Sequence, residues 1–177
     1  NGETLDLVGI FKKANQLAGY HGIGIGSHVV ENRFVGVKSR GIYEAPGVEL
    51  LGSTYEFLLQ FILDRRARDL HDTLSKIISL QIYQGYWMDL STTAALTAIK
   101  TINRLVTGTI AVRLYKGTVN FETGEDTIEG MPNSLYTEDS SMEDIGTYDH
   151  VDAEGLLKIL TVSARNVGNK QFPEFNR

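Results

Sequence analysis

Between Val30 and Pro46 the chain sets two carboxylates (Glu31, Glu44) and four cationic or amide side chains (Asn32, Arg33, Lys38, Arg40) beside Ser39 and Tyr43. Those groups can hold a polar ligand. A carboxylate takes an ammonium or amide N–H, a guanidinium grips a carboxylate or phosphate through a planar fork, and a phenol donates a hydrogen bond. Binding residues gather on loops carried by a rigid scaffold. The same residue types also describe an exposed strand edge protected by charge, and composition alone weighs the two readings equally. Arg33, Lys38, Ser39 and Arg40 read either as ligand contacts or as scaffold ion pairs.

Other constellations carry less. Gly22, Gly24 and Gly26 follow a helical pattern and lead into a strand. A phosphate cradle needs strand, then glycines, then a helix whose first amides face the anion. His21, His28, His71 and His150 are too scattered to specify a metal, and no metal site is expected. Asp149-His150-Val151-Asp152 reads as a turn and helix cap. No nucleophile–base pairing or paired-carboxylate arrangement is legible, so no residue is assigned as catalytic. Tyr86 and Trp87 could stack on a ligand, with buried packing the favoured expectation.

The elements that position these groups come from periodicity. Leu7, Ile10, Phe11 and Ala14 mark an amphipathic helix from Thr4 to Ala18, stopped by Gly19. The charged segment follows as an extended stretch. Pro46 opens a second helix with its stripe through Leu50, Thr54, Phe57 and Phe61. Asp64 caps a third, with Leu70, Leu74, Ile77 and Ile78 facing inward, and a fourth starts near Ser91. Ile110, Val112 and Leu114 alternate with Arg113 and Tyr115 as a strand, Lys116-Gly117 turns, and Val119 and Phe121 return. From Glu122 to Asp152 there are ten acidic residues and no lysine or arginine, which reads as a solvated, loop-rich excursion. Asp152 caps a last helix from Ala153 to Ala164, and the polar tail from Asn166 is expected to be poorly ordered.

Composition bounds the class. The 177 residues, 42% hydrophobic and 22% charged, fit one globular domain without an obvious linker. A net charge of −5 argues against nucleic acid as a partner. There is no cysteine, no apolar run long enough for a bilayer and no signal-peptide pattern, so a soluble, cytoplasmic protein is expected, with no membrane partner.

Specific identity breaks the tie over the charged segment. Glu31-Asn32-Arg33, then Lys38-Ser39-Arg40-Gly41-Ile42-Tyr43-Glu44 and Pro46-Gly47, closely resembles the late-chain signature of argininosuccinate synthase. Tyr83-Gln84-Gly85-Tyr86-Trp87, Val106-Thr107-Gly108-Thr109, Leu114-Tyr115-Lys116-Gly117, Pro132-Asn133-Ser134-Leu135-Tyr136, Tyr148-Asp149-His150 and Asp152-Ala153-Glu154-Gly155 are similar to further family segments in the same order. The resemblance implies an ATP-dependent ligase of arginine biosynthesis and the urea cycle that joins citrulline to aspartate. In that family the ureido oxygen attacks the α-phosphorus of ATP, and the aspartate amine then displaces AMP from the adenylate.

It also implies that Glu31 and Tyr43 bind citrulline, converging on one amino-acid-sized cleft. The bland reading leaves Glu31 paired only with Arg33 or Arg40. ATP with Mg2+ is implied as co-substrate of the full-length enzyme and a homotetramer as its assembly. The family's Ser-Gly-Gly-x-Asp nucleotide loop is missing. This chain is therefore expected to be a C-terminal fragment, opening at Asn1-Gly2 in a cut hairpin, binding no cofactor alone, and partnered by a missing N-terminal nucleotide-binding domain. A non-catalytic amino-acid-binding or oligomerisation module is the alternative. The implied fold is α+β, with helices packed on a multistranded, mainly antiparallel sheet. Residues 1–165 would form the C-terminal part of the citrulline- and aspartate-binding domain, and 166–177 a tail. One departure stands out: Ile25-Gly26-Ser27-His28 is one residue longer than the family's usual segment and carries neither of its charges.

Overall fold

The computed structural model describes residues 4–32, 34–126 and 149–171. They fall in two compact units, one within 1–136 and the other within 137–177. The class is α+β, as expected, with six helices and antiparallel strands among the described residues. The described strands form two separate two-stranded hairpins rather than one larger sheet.

Helix α1 (Leu7–Tyr20) starts where Asp6 caps it, its carboxylate accepting from the Gly9 amide at 2.7 Å. The helix runs through Gly19, because a glycine costs only about 1 kcal/mol inside a helix and does not by itself end one. The stop is Gly22, whose φ of +69° only glycine adopts freely, with the Ile23 amide returning to the Ala18 carbonyl. Helix α2 (Pro46–Ile62) packs on α1 through small residues. The Gly47 amide donates to Asn15 Oδ1 at 2.6 Å, and a Cβ at position 47 would sit 2.8 Å from that same oxygen. Ala14, Ala18, Ile23 and Leu50 are buried there, under Leu51, Val112, Leu114 and Val119. Leu59 and Ile62 of α2 are also buried.

Strand β1 (Ile25–Glu31) pairs antiparallel with β2 (Lys38–Glu44), and this hairpin leaves most of its residues exposed. Strands β3 (Gly108–Tyr115) and β4 (Thr118–Asp126) form the second hairpin, which covers α2. Its alternation follows the sequence reading, with a bulge at Ala111/Val112 and a two-residue turn at Lys116-Gly117, both at positive φ. Strand β4 extends regular structure to Asp126, further than the expected onset of the acidic excursion. Residues 127–148 of that excursion lie outside the described residues, as does the Pro132–Tyr136 motif.

Helix α3 (Arg65–Gln84) is capped by Asp64, which accepts from the Ala67 amide at 2.8 Å, and closes on Gly85 in the left-handed region. The Arg68–Glu56 ion pair at 2.7 Å ties it to α2. Its inward stripe is His71, Leu74 and Ile78, while Leu70 and Ile77 are exposed, contrary to expectation. The apolar periodicity offers two overlapping stripes, and the one through His71, whose ring lies 6.1 Å from that of Tyr55 in α2, is the more buried; α3 also packs on α4 (Leu90–Asn103). Thr92, fully buried, donates to the Tyr86 carbonyl at 2.7 Å and fixes the α3–α4 turn.

In the second unit, α5 (His150–Leu160) is capped by Asp149, not Asp152, with the Val151 amide 2.8 Å from its carboxylate. Asp152 sits instead in the first turn, where its charge suits the helix dipole. Helix α6 (Val162–Gln171) carries regular structure into the segment expected to be a loose tail.

Candidate functional site

The charged signature is the β1–β2 hairpin. Register pairs Gly26 with Tyr43, His28 with Gly41, Val29 with Arg40, Val30 with Ser39 and Glu31 with Lys38. Asn32 forms the turn: its Oδ1 accepts from the Phe34 and Val35 amides at 3.0 and 3.2 Å, and its amide and carbonyl bond to Val37 and Gly36. Arg33 lies outside the described residues.

Strand side chains alternate between faces. Glu31 shares one face with Val29, Lys38, Arg40 and Ile42, whereas Tyr43 shares the other with Gly26, His28, Ser39 and Gly41. Glu31 and Tyr43 are also five ladder positions apart, roughly 17 Å along the strands. Within this chain the two do not meet in one cleft. Glu31 pairs with Lys38 at 3.6 Å, both side chains more than half exposed, and among the described residues it makes no ion pair with Arg40. Such a solvated pair adds little to stability and leaves the carboxylate open to a ligand. Ser39 and Arg40 are exposed on opposite faces.

Tyr43 opens instead into a cleft of about 380 Å³ that it lines with His28, Glu49, Val48, Ala45 and the glycines around it. Three backbone ties build this cleft. The Ala45 amide donates to the Gly24 carbonyl at 2.8 Å, closing the base of the hairpin against the start of α2. Gly24 has φ +73°, and a Cβ there would lie 2.7 Å from the Pro46 backbone. The Gly117 amide of the β3–β4 turn donates to the His21 carbonyl at 2.8 Å. The rings of His28 and Tyr43 are 5.7 Å apart, tilted by 58°.

A second signature also finds a neighbour. Tyr83 and Gln84 at the end of α3 line a pocket of about 210 Å³ with Asn32 and Phe34 from the hairpin tip. Tyr86 and Trp87, expected to be buried, are about half exposed. Residue types alone gave no reason to single out His28 or Glu49. Their signal was the repeated Gly-x-aromatic spacing in Gly26-x-His28 and Gly41-x-Tyr43, and an acidic residue one turn after Pro46.

The perturbed ionisations lie elsewhere. Burial pushes the Tyr55 phenol up, and hydrogen bonds from Ser91 hold Asp89 below the usual carboxylate range. Among the described residues no three His, Asp or Glu side chains gather as metal ligands, and no helix is long and apolar enough to cross a membrane.

Comparison with known proteins fits this hairpin and its scaffold. The family described as the Arginosuccinate synthase C-terminal domain matches residues 1–167. The argininosuccinate synthase of Nitratidesulfovibrio vulgaris (strain DP4) is 39% identical over 160 residues, covering 90% of this chain and 39% of that protein. Those of Rhodopirellula baltica and Clostridium acetobutylicum are each 36% identical, covering 95% and 93% of this chain and 40% of each relative. The chain thus spans about two fifths of the length of the curated relatives it matches. By the extent of the family match and the level of identity, the chain belongs to the argininosuccinate synthase C-terminal domain family.

Proposed function

We propose that this chain supplies the C-terminal part of an argininosuccinate synthase, the ligase that condenses citrulline with aspartate while ATP goes to AMP and pyrophosphate. The observation that carries the reading is the family match across residues 1–167, joined to relatives of that name at 36–39% identity. The enzyme so formed is a cytoplasmic homotetramer of arginine biosynthesis and the urea cycle, in which this chain meets an N-terminal nucleotide-binding domain.

The residues present do not fit ATP or its Mg2+. Gly22 and Gly24 lie between α1 and β1 and Gly26 within β1, so a strand rather than a helix N-terminus follows them and no first-turn amides receive phosphate. Nucleotide chemistry belongs to the remaining three fifths of the enzyme, and this chain alone turns nothing over.

What it contributes is a substrate surface. Tyr43 donates its phenol to citrulline in the 380 Å³ cleft. Glu31, on the outer face of the hairpin, accepts N–H groups of substrate held by the rest of the enzyme. Arg33, Lys38, Ser39 and Arg40 either flank that substrate or hold the hairpin. Positioning of this kind converts binding into rate by fixing the reacting groups before they meet.

The test mixes this chain with the N-terminal three fifths of the Nitratidesulfovibrio vulgaris relative. Pyrophosphate release that requires both citrulline and aspartate is the expected result. Association without turnover would instead support a non-catalytic module. In the reconstituted enzyme, Glu31→Ala raises the citrulline KM well above any change in that for ATP. An unchanged citrulline KM removes Glu31 from the site.

A further inference from the structure

We propose that Tyr83 and Gln84, at the end of α3, are positioning residues for Glu31, acting through the turn that follows it. The proposal rests on the reading of Glu31 as a citrulline contact. It gives a role to the 83–87 signature, none of whose residues lines the Tyr43 cleft.

The first support is where the carboxylate lies. Glu31 ends β1, and a Cβ on Gly36 would stand 3.6 Å from its Oε1, while its Oε2 lies 3.6 Å from Lys38 Nζ. The acid therefore sits beside the turn. That turn is a small closed unit. The Asn32 amide donates to the Val37 carbonyl at 2.9 Å, and the Gly36 amide to the Asn32 carbonyl at 2.8 Å. Asn32 Oδ1 holds the Phe34 and Val35 amides, and Gly36 supplies the positive φ of +67°. Asn32 follows Glu31 directly, so any shift of the turn carries the carboxylate with it.

The second support is what stands next to the turn. Asn32 and Phe34 border one side of the recess of about 210 Å³, and Tyr83 and Gln84 border the other. Small-molecule sites usually measure roughly 300–1,000 Å³, so this space is a seam between two elements rather than a second substrate site. The two sides differ in stiffness. Phe34, Val35 and Val37 are exposed, and little apolar burial fixes the turn. The end of α3 is braced. Gly85, at φ +85°, donates to the Ile82 carbonyl, and the Tyr86 amide to the Gln81 carbonyl at 2.9 Å. The Tyr86 carbonyl accepts the Asp89 amide at 3.1 Å and the hydroxyl of fully buried Thr92 at 2.7 Å. An exposed turn bordering a braced corner takes its position from the corner. Each side brings one ring and one amide to the seam, which limits how far the turn can swing from α3.

The experiment combines citrulline and ATP kinetics of the reconstituted enzyme with amide exchange in the 177-residue chain. Tyr83→Ala is expected to raise the citrulline KM about fivefold, within the range of coupling between neighbouring residues. The KM for ATP and kcat stay close to their unsubstituted values. Tyr83→Phe keeps the ring and keeps the citrulline KM, and Gln84→Ala shifts it in the same direction as Tyr83→Ala. In an enzyme already carrying Glu31→Ala, Tyr83→Ala adds nothing, because its effect passes through that carboxylate. In the chain by itself, exchange at the Phe34 and Val35 amides quickens about threefold in Tyr83→Ala. Tyr83 is exposed, and an unchanged Tm verifies folding. An unaltered citrulline KM in Tyr83→Ala beside a raised one in Glu31→Ala overturns the positioning role and leaves Glu31 a citrulline contact. Additive effects of the two substitutions overturn it as well. So does unchanged exchange at Phe34 and Val35, a result that needs no turnover. An unchanged citrulline KM in Glu31→Ala removes both readings together.

Discussion

Asn32 does two jobs with one oxygen, holding the amides of Phe34 and Val35 and so shaping the turn that carries Glu31 and Lys38. Asn32→Ala removes both bonds. Hydrogen exchange at those two amides is expected to quicken by about five- to tenfold, the equivalent of roughly 1 kcal/mol of local protection. Asp89 gives a pH effect with a definite sign. Its folded carboxyl titrates below its unfolded value because Ser91 donates to it from backbone and side chain. The bond therefore steadies the start of α4 above the unfolded value and is lost as pH falls through the folded one. Exchange at the Ser91 amide should rise as the solution is acidified through that range, and Asp89→Asn should cap the helix without the pH dependence. At this scale the sequence was readable where a residue acts on its own neighbours, as Asp64 does at its cap. It was silent about His28 and Glu49, because a histidine and a glutamate come to line one cleft only when the chain closes the hairpin against α2.

Among the elements, glycine positions separate geometry from composition. Gly24 stands at φ +73° against the backbone of Ala45 and Pro46, so Gly24→Ala should destabilise the protein by about 1–3 kcal/mol and distort the Tyr43 cleft. Gly52 lies within α2 with nothing near its missing Cβ, and Gly52→Ala should stabilise by about 0.5–1 kcal/mol. Urea denaturation of the two variants measures both, and the reverse order would refute the account of the loop. The four helices α1 to α4 and the β3–β4 hairpin could be read from periodicity and breakers, since those patterns are local, whereas the β1–β2 segment was legible only as an extended stretch. What could not be read was the exit of α1 at Gly22, or which stripe of α3 turns inward. A glycine within a helix and a glycine beyond its end look alike until the following residue, here Ile23, is drawn into the core.

For the molecule as a whole, the thin core decides behaviour. The buried apolar side chains among the described residues are seven, three of them alanines, while Val29, Val35, Ile42, Met88 and Leu90 stay exposed. Burial of apolar surface is the main stabilising term, at about 25 cal/mol per Å². A chain that buries so little is expected to melt early alone and to bind a hydrophobic dye. Adding the N-terminal portion of a relative should raise its Tm with concentration, as any partner selective for the folded form does. A melting curve indifferent to that addition would count against the exposed residues being contact surface. The sequence carried the family and the class, but whether apolar residues are core or contact depends on packing partners that no periodicity reports.

The hydrogen bond from Gly117 to His21 has a consequence for how the protein is made. A ribosome releases the hairpin bearing Tyr43 long before the turn that completes the wall beside it. Synthesis runs from the N-terminus, and early pieces begin to fold as they emerge. Truncated nascent chains ending before that turn should display the tyrosine on a strand yet lack a closed recess around it, so substrate recognition is acquired late in translation.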